Sequence, residues 1–240
     1  MKVSLAVMLS CSIVLAPCAL AQQAAPTTGS PETVANGPGF IRLDSVPKPM
    51  IFYRKLALQG EIAAQFNVAS MYETGSQVEQ DFVQAAFWYR KAAVQGHAPA
   101  MLALGQMLQS GRGGVQDNAE AAAWYRAAAD KGSVPAQYNL AWMLDNGAGV
   151  AQDYAQAAVW YEKAAQRGFA KAQFNLAVIY ALGHGRAPEP EQAYKWFKIA
   201  AGDGNAQALQ NLEALAPGMS AEQLARASQQ AREWQPVGSN

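Results

Sequence analysis

Apolar and polar positions along this chain follow the period of an α-helix, and the helical pattern itself recurs every 36 residues. Within 133–168, Ala136, Leu140, Met143 and Leu144 share one helical face, and a second apolar stripe follows after a loop. Large aromatic residues mark the period most clearly: Phe52, Trp88, Trp124, Trp160 and Trp196. Glycines keep the same step at Gly60, Gly96, Gly132, Gly168 and Gly204. A fixed period of this length predicts stacked helix pairs, each burying its apolar face against its neighbours.

The period divides the middle of the chain into four units without a gap, at 61–96, 97–132, 133–168 and 169–204. A half-unit helix is predicted at 50–60 before them, and 205–235 is predicted to contain a second half-unit and a C-terminal capping helix. Ser220 and Gln223 have the spacing of a capping box. The apolar stripe of the capping helix comprises Leu224, Ala227, Ala231 and Trp234.

Each unit has residues that are typical of the end of one helix and the start of a second one after a loop. A glycine follows the first helix and is predicted to take a left-handed conformation, at Gly75, Gly111, Gly147 and Gly183. An acidic residue precedes the second helix, and we expect it to cap the free N–H groups at Asp81, Asp117 and Asp153. The fourth unit has Glu189 there.

The second helix alternates small and large apolar residues, which predicts close helix packing. In the first unit these residues are Ala85, Trp88, Tyr89, Ala92 and Ala93. The tryptophan column is interpreted as core rather than as a platform for stacking sugars.

The pattern A-x-A-Q-[YF]-N-L-A/G followed by G-x-G-V-x-Q-D-[YF]-x-x-A-x-x-W-Y-x-K-A-A-x-x-G resembles the Sel-1-like repeat. That family belongs to the tetratricopeptide superfamily and has a lengthened loop between its helices, so the resemblance implies a right-handed all-α solenoid. Two loops depart from the pattern. The fourth reads GHGRAPEP, and the first has Gln77 where the second loop glycine is expected.

The first 21 residues are predicted to be a cleaved signal peptide, because Lys2 precedes an apolar run from Val3 to Leu15 and a small-residue cleavage site, Ala19-Leu20-Ala21, follows it. A lipoprotein signal at Cys18 is disfavoured by Pro17 before it. Both cysteines, Cys11 and Cys18, would leave with the leader. Residues 22–49 are rich in Pro, Thr, Gly and Ala and are predicted to form a disordered linker.

Charge and hydropathy then limit the partners. The full sequence has 18 basic and 18 acidic side chains, and removal of the leader with Lys2 leaves 17 basic and 18 acidic ones. The sequence shows no basic patch of the kind that binds nucleic acid. The sequence after the leader has no run long enough for stable membrane insertion. We therefore expect a periplasmic or secreted protein that is soluble.

No catalytic constellation stands out, and the sequence predicts neither enzymatic activity nor a cofactor. His97, expected at an exposed helix start, and His184, expected in a loop, are too distant in a linear stack to share a metal. Ser45 and Lys48 match S-x-x-K, but prolines at 47 and 49 disfavour the helix which that motif requires. The loop GRGGVQ at 111–116 follows no strand, which makes a phosphate site unlikely.

The informative surface is the side of the first helices opposite their core. Stacked units would align these side chains along a concave groove, as a predicted partner-binding stripe. Its residues are Asn67, Ser70, Gln106, Asn139, Trp142, Asn175, Val178 and Asn211. An asparagine here binds a partner's backbone or carboxylate, or else makes a helix-packing hydrogen bond. Trp142 is either an exposed anchor or a side chain buried between units.

The resemblance implies a non-catalytic scaffold or adaptor that binds an envelope protein or peptide. Members of the family are implicated in signalling, secretion and exopolysaccharide assembly. Some cysteine-rich relatives bind or hydrolyse β-lactams, which makes an envelope hydrolase one alternative, and a polysaccharide- or peptidoglycan-binding module is another. Neither partner identity nor oligomeric state follows from the sequence.

Overall fold

The computed structural model describes residues 48–185 and 187–238, and these ranges contain eleven α-helices and no β-strand. All of them lie within one compact unit, Ile41–Asn240. The predicted signal peptide, its two cysteines, Ser45 and most of the predicted linker lie outside the described residues.

The helices begin and end close to where the period places them. They are α1 (Lys48–Leu58), α2 (Ile62–Thr74), α3 (Phe82–Val94), α4 (Ala98–Ser110), α5 (Asn118–Asp130), α6 (Val134–Asn146), α7 (Tyr154–Gln166), α8 (Ala170–Leu182), α9 (Pro190–Gly202), α10 (Ala206–Leu215) and α11 (Ala221–Glu233). A short 3-10 turn at Ala216–Gly218 separates the last two. Helix α1 thus begins two residues before the predicted half-unit.

Helices that are neighbours in sequence are also neighbours in space. The two helices of each unit pack together, as α2 with α3, α4 with α5, α6 with α7 and α8 with α9. The second helix of each unit also packs on the first helix of the next, and α1 packs on α2. The prediction of an all-α solenoid built from repeated helix pairs is therefore confirmed.

The predicted glycine after the first helix is confirmed in all four units, and the predicted aspartate cap in the three units that have an aspartate. The glycine after each first helix has a positive φ, of 69° at Gly75 and Gly111, 66° at Gly147 and 71° at Gly183. At the second helices, aspartate side chains accept hydrogen bonds from backbone N–H groups at 2.8–3.0 Å, in Asp81, Asp117 and Asp153. These bonds satisfy donors that a helix start otherwise leaves unpaired.

The second loop glycine packs against the preceding unit. A Cβ on Gly113 would clash with the carbonyl oxygen of Phe82, and one on Gly149 would clash with the backbone of Asn118. The first loop keeps the same left-handed geometry with a side chain, because Gln77 has a φ of 67°. Neither departure from the loop pattern changes the step between helix starts, since α9 begins at Pro190, 36 residues after α7 begins at Tyr154.

The core is made of alanines packed around aromatic and long aliphatic side chains. Trp88, Trp160 and Trp196 are buried, at 6%, 8% and 3% exposure, which confirms the core interpretation for these three. Trp124 is only half-buried, and its Nε1 donates to Glu120 Oε1 at 3.0 Å. Phe52 is 59% exposed, so its place in the aromatic series does not make it core.

Buried glutamines tie successive units together, which the sequence reasoning missed. The Nε2 atoms of Gln65, Gln137 and Gln173 donate to the carbonyl oxygens of Ala57, Ala129 and Ala165, respectively, at 3.2–3.3 Å. Each of these carbonyls lies in the last turn of the preceding helix and also accepts a backbone hydrogen bond, from Gly60, Gly132 or Gly168. The signal was available, because these glutamines lie 36 or 72 residues apart.

The C-terminal helix α11 packs on α9, as a cap would. The predicted capping box is present, with Ser220 Oγ accepting from the N–H of Gln223 at 3.2 Å and Gln223 Oε1 accepting from the N–H of Ser220 at 2.9 Å. Trp234 meets Trp196 edge to face, with the ring centroids 5.9 Å apart.

Candidate partner-binding surface

The predicted stripe lies on the solvent side of the first helices. Gln106 is exposed, and the seven other members, Asn67, Ser70, Asn139, Trp142, Asn175, Val178 and Asn211, are half-buried. Adjacent positions on the same face are exposed: Ala63, Thr74, Pro99, Ser110, Pro135, Asn146 and Lys171. The opposite faces of these helices carry buried residues such as Leu104, Leu140 and Leu176. We call the eight predicted members the first-helix stripe.

The burial of Trp142 lies between the two alternatives that the sequence left open. Its side chain is half-buried and packs against the core, so part of the indole remains accessible. Asn146, one turn later, donates from Nδ2 to the Trp142 carbonyl oxygen at 2.8 Å. The Trp142 side chain is therefore packed on its helix and remains partly accessible to solvent.

Asn175 makes a hydrogen bond between helices, which is one of the two roles that the sequence left open for the stripe asparagines. Its Nδ2 donates to the hydroxyl oxygen of Tyr161 at 2.9 Å, and the Tyr161 hydroxyl donates to Asp145 Oδ2 at 3.3 Å. Burial raises the pKa of both Tyr161 and Asp145. An amide has two donor hydrogens and an acceptor oxygen, so this bond does not use every polar group of Asn175.

The tyrosine network recurs in the other units. Tyr125 donates to Gln109 Oε1 at 2.9 Å, and Tyr89 donates to Glu73 Oε2 at 2.7 Å. Burial raises the pKa of Tyr125, while a hydrogen bond from Asn139 acts in the opposite direction. Asn139 is therefore close to the Tyr125 hydroxyl.

These bonds explain part of the asparagine recurrence by a structural requirement. Asn139 and Asn175 each follow their tyrosine by 14 residues, a pairing that is visible in the sequence once the bond is known. Asn211 has Phe197 at that distance, which has no hydroxyl, and its Oδ1 instead accepts from Gln207 at 3.5 Å. The stripe asparagines thus differ in the hydrogen bonds that their amide groups make within the fold.

The two histidines lie at the start of α4 and in the loop after α8. His97 is the N-cap residue of α4 but is half-buried, not exposed as expected, with its ring 4.9 Å from that of Phe66. Burial lowers its pKa. His184 lies in the loop after α8, as expected, with its ring 4.5 Å from that of Tyr154.

The described residues contain neither a metal-binding cluster nor a membrane-spanning helix. Residues 48–185 and 187–238 hold no group of three His, Cys, Asp or Glu side chains arranged to bind a metal ion. No helix in these ranges has the length and apolar character to cross a membrane.

Comparison with known proteins identifies the repeat. The sequence matches the Sel1 repeat family over residues 62–97, 98–133, 134–169 and 170–205. Each matched segment begins one residue after the unit defined above from the glycine spacing. No curated protein matches the sequence.

Two solved structures are similar in both sequence and fold. One is a protective antigen present in uropathogenic Escherichia coli strains, displaying an SLR fold, with 36% identity and a TM-score of 0.68. That match covers 77% of this chain but only 40% of the antigen. The other is a Sel1 repeat protein from Oxalobacter formigenes, with 33% identity and a TM-score of 0.61, covering 78% of each chain.

Proposed function

Because the chain belongs to the Sel1 repeat family, whose members generally mediate protein–protein interactions, we propose that it is a non-catalytic scaffold for a cell-envelope protein. The proposed binding surface is the first-helix stripe. The proposal includes export by the N-terminal signal peptide, with the protein acting in the periplasm or outside the cell.

The observation that carries the proposal is the half-buried Trp142 on a face that consecutive units turn to solvent. A rigid aromatic side chain contributes large contact area at a small cost in conformational entropy, which is why tryptophan is enriched among the residues that dominate binding energy. Around it, Gln106, Asn139 and Asn175 supply amide groups that suit the backbone of an extended or helical partner segment.

Site-specific photo-crosslinking tests where the partner binds. A photoreactive amino acid replaces Gln106, which is exposed on the stripe, in the full chain expressed in its native host. The matched control carries the same group at Ala123, which is exposed on second helix α5. An adduct from position 106 alone supports the stripe, while equal adducts from both positions, or none, contradict it.

A pair of tryptophan variants then tests the anchor. Trp142 and Trp124 are both half-buried, but Trp124 lies on α5, away from the stripe. We expect Trp142→Ala to weaken binding of the cross-linked partner by about 2 kcal/mol or more, as for a hot-spot residue, and Trp124→Ala to leave the affinity unchanged. Equal losses of affinity in the two variants would remove Trp142 from the binding surface.

The alternative functions give different outcomes in the same host. A β-lactam hydrolase would turn over a chromogenic cephalosporin, and a polysaccharide-binding module would shift its tryptophan fluorescence with cell-wall or exopolysaccharide fragments. Either result, in the absence of a protein adduct, would replace the scaffold proposal.

A further inference from the structure

Two repeat positions on the second helices change from apolar to polar along the chain. Helix α1 corresponds to the second helix of a unit, so its residues align with those of α3, α5, α7 and α9. The first position reads Ile51, Phe87, Ala123, Val159 and Lys195. The second position, seven residues later, reads Leu58, Val94, Asp130, Gln166 and Gly202. Because later units have charged or amide side chains there, the fold does not require apolar side chains at these positions of α1 and α3.

The apolar side chains at these positions are exposed to solvent. Leu58 is 71% exposed and Val94 is 66% exposed. The exposed apolar side chains of the two helices are Ile51, Phe52, Leu58, Val83, Phe87 and Val94. With 3.6 residues per turn, Val83, Phe87 and Val94 lie on one face of α3. Helix α3 has neighbours on both sides in the stack, so its exposed apolar face is not a consequence of lying at an end.

Helices α1 and α3 lie side by side in the repeat. Both pack on α2. Successive second helices are close enough for polar contact, since Arg90 of α3 donates to Glu120 of α5 at 3.1 Å. Their C-terminal ends are close as well, because a Cβ on Gly96 after α3 would be 3.4 Å from Lys131 Nζ after α5. The same repeat relation places α1 beside α3, so their exposed apolar side chains adjoin.

The charge on these two helices is entirely positive. Neither 48–58 nor 82–94 contains an aspartate or glutamate. Lys55 and Lys91 share one repeat position and are exposed, and Lys91 Nζ lies 5.5 Å from the centroid of the Phe87 ring. Acidic residues come only at the helix ends, as Glu61 after α1 and as Asp81, whose side chain caps α3. We call the residues Ile51, Phe52, Lys55, Leu58, Val83, Phe87, Lys91 and Val94 the lysine-apolar face.

We propose that the lysine-apolar face binds reversibly to the surface of a lipid bilayer that contains anionic lipids. Helices that lie in a membrane interface combine phenylalanine and aliphatic side chains, which enter the boundary of the acyl chains, with lysines that attract anionic headgroups. The face has both kinds of side chain. It lies on α1 and α3, apart from the first-helix stripe, so this proposal does not depend on the proposed function.

The type of cation favours a lipid surface over a protein. Lysine is depleted in protein–protein interfaces, whereas arginine is enriched there. The exposed cations of this face are lysines, while Arg90 is already paired with Glu120 and Arg54 is half-buried. A second copy of the chain is disfavoured because Lys55 and Lys91 of one molecule would approach the same lysines of the other.

Vesicle sedimentation tests the proposal with variants that have matched controls. The protein is purified from its native host, in the form that the cell produces, and is mixed with vesicles of equal parts phosphatidylglycerol and phosphatidylcholine or of phosphatidylcholine alone. The test variants are Phe87→Ser and Lys91→Glu. The controls are Val159→Ser and Lys163→Glu, at the same repeat positions of α7, where both side chains are also exposed. Each control makes the same change of charge as its test variant.

We expect the unmodified protein to bind the anionic vesicles at least about fivefold more tightly than the neutral ones. Phe87→Ser and Lys91→Glu should each weaken binding to the anionic vesicles by roughly tenfold, through lost burial and lost charge attraction, respectively. The two controls should stay within about twofold of the unmodified protein, because α7 lies outside the face. No binding by the unmodified protein, or equal losses in test variants and controls, would overturn the proposal.

Photo-crosslinking in the host then identifies what covers the face. A photoreactive amino acid replaces Phe87, and the adducts are analysed by mass spectrometry. A lipid adduct supports the proposal. An adduct only with another protein, with a second copy, or with the part of this chain that precedes α1 would assign the face to that partner and would overturn the proposal.

Discussion

The same repeat position is buried at one end of the helix stack and exposed at the other. At the C-terminal end, Trp196 is only 3% exposed, and Trp234 of α11 lies against it. At the N-terminal end, Phe52 occupies the equivalent position on α1 and is 59% exposed. The position in the unit is the same, but the neighbouring helices differ. Burial in a repeat protein therefore depends on the adjoining element as much as on the unit's own sequence.

Several polar contacts accompany this covering of the C-terminal end. Arg226 of α11 makes a bidentate ion pair with Glu191 of α9, at 2.7 and 3.2 Å. Lys198 Nζ donates to Ser228 Oγ at 3.0 Å. After α11, the backbone N–H of Val237 donates to the Gln166 carbonyl oxygen of α7 at 2.7 Å. At the N-terminal end, Ile51 and Leu58 are exposed as well as Phe52.

Truncation of the paired aromatic residues should give the largest difference between the ends. We expect Trp196→Ala to lower the free energy of unfolding by about 3–5 kcal/mol, because it leaves a large cavity between α9 and α11. Phe52→Ala should change it by no more than about 0.5 kcal/mol, as for a surface substitution. Urea denaturation followed by far-UV circular dichroism measures both. Equal losses would mean that Phe52 is covered in solution.

Removal of the covering side chain should have a smaller effect. Trp234→Ala deletes a half-buried ring and one edge-to-face contact, and we expect a loss of about 1–3 kcal/mol in the same denaturation experiment. Val237→Ala is a control at a nearby position that is 61% exposed. A loss in the control as large as that in Trp234→Ala would assign the effect to the C-terminal segment as a whole.

The start of α11 offers a sharper test, because the chain contains a matched serine. Ser220→Ala removes the oxygen that caps the helix and should cost about 1 kcal/mol. Ser133 is also an N-cap residue, of α6, but its side chain makes no capping bond. Ser133→Ala should therefore cost much less in thermal or urea denaturation. A larger loss at Ser133 than at Ser220 would contradict the role given to the capping box.

The ion pair between α9 and α11 should produce the smallest effect and a pH dependence. Arg226 holds the pKa of Glu191 below its ordinary value of 4.5. Because the unfolded state then binds the proton more readily, the pair stabilises the fold above this ordinary pKa and loses its contribution as the pH falls through the lower, folded value. Glu191→Gln should thus be slightly less stable than the unmodified protein at neutral pH, and the difference should disappear once the pH is below the folded pKa of Glu191. A difference in melting temperature that persists in acid would rule out this ion pair as its source.

The sequence was sufficient for the repeating elements because each depends on local chemistry. A glycine after each first helix, an aspartate before the second helices of the first three units, and apolar stripes at helical spacing are all local signals, and the structure has each of them in place. The half-burial of Trp124 and the exposure of Phe52 depend instead on what packs against those side chains from other helices. No feature within one unit contains that information.

The candidate site shows a similar division. The helical period placed Gln106, Trp142 and their neighbours on one solvent-facing stripe. The bond from Asn175 to Tyr161 of the preceding unit became visible only in three dimensions, because a recurring asparagine alone does not distinguish packing from recognition.

Helix α11 also limits how this molecule can associate with copies of itself. Identical units that bury identical faces are in principle able to continue from one molecule into the next, and such head-to-tail contacts build open-ended fibres. The outer side of α11 instead carries exposed polar side chains, Glu222, Arg226, Gln229, Gln230 and Glu233. A second molecule that packed on α11 would have to desolvate these polar groups, which costs free energy. Helix α11 therefore disfavours head-to-tail polymerisation at this face.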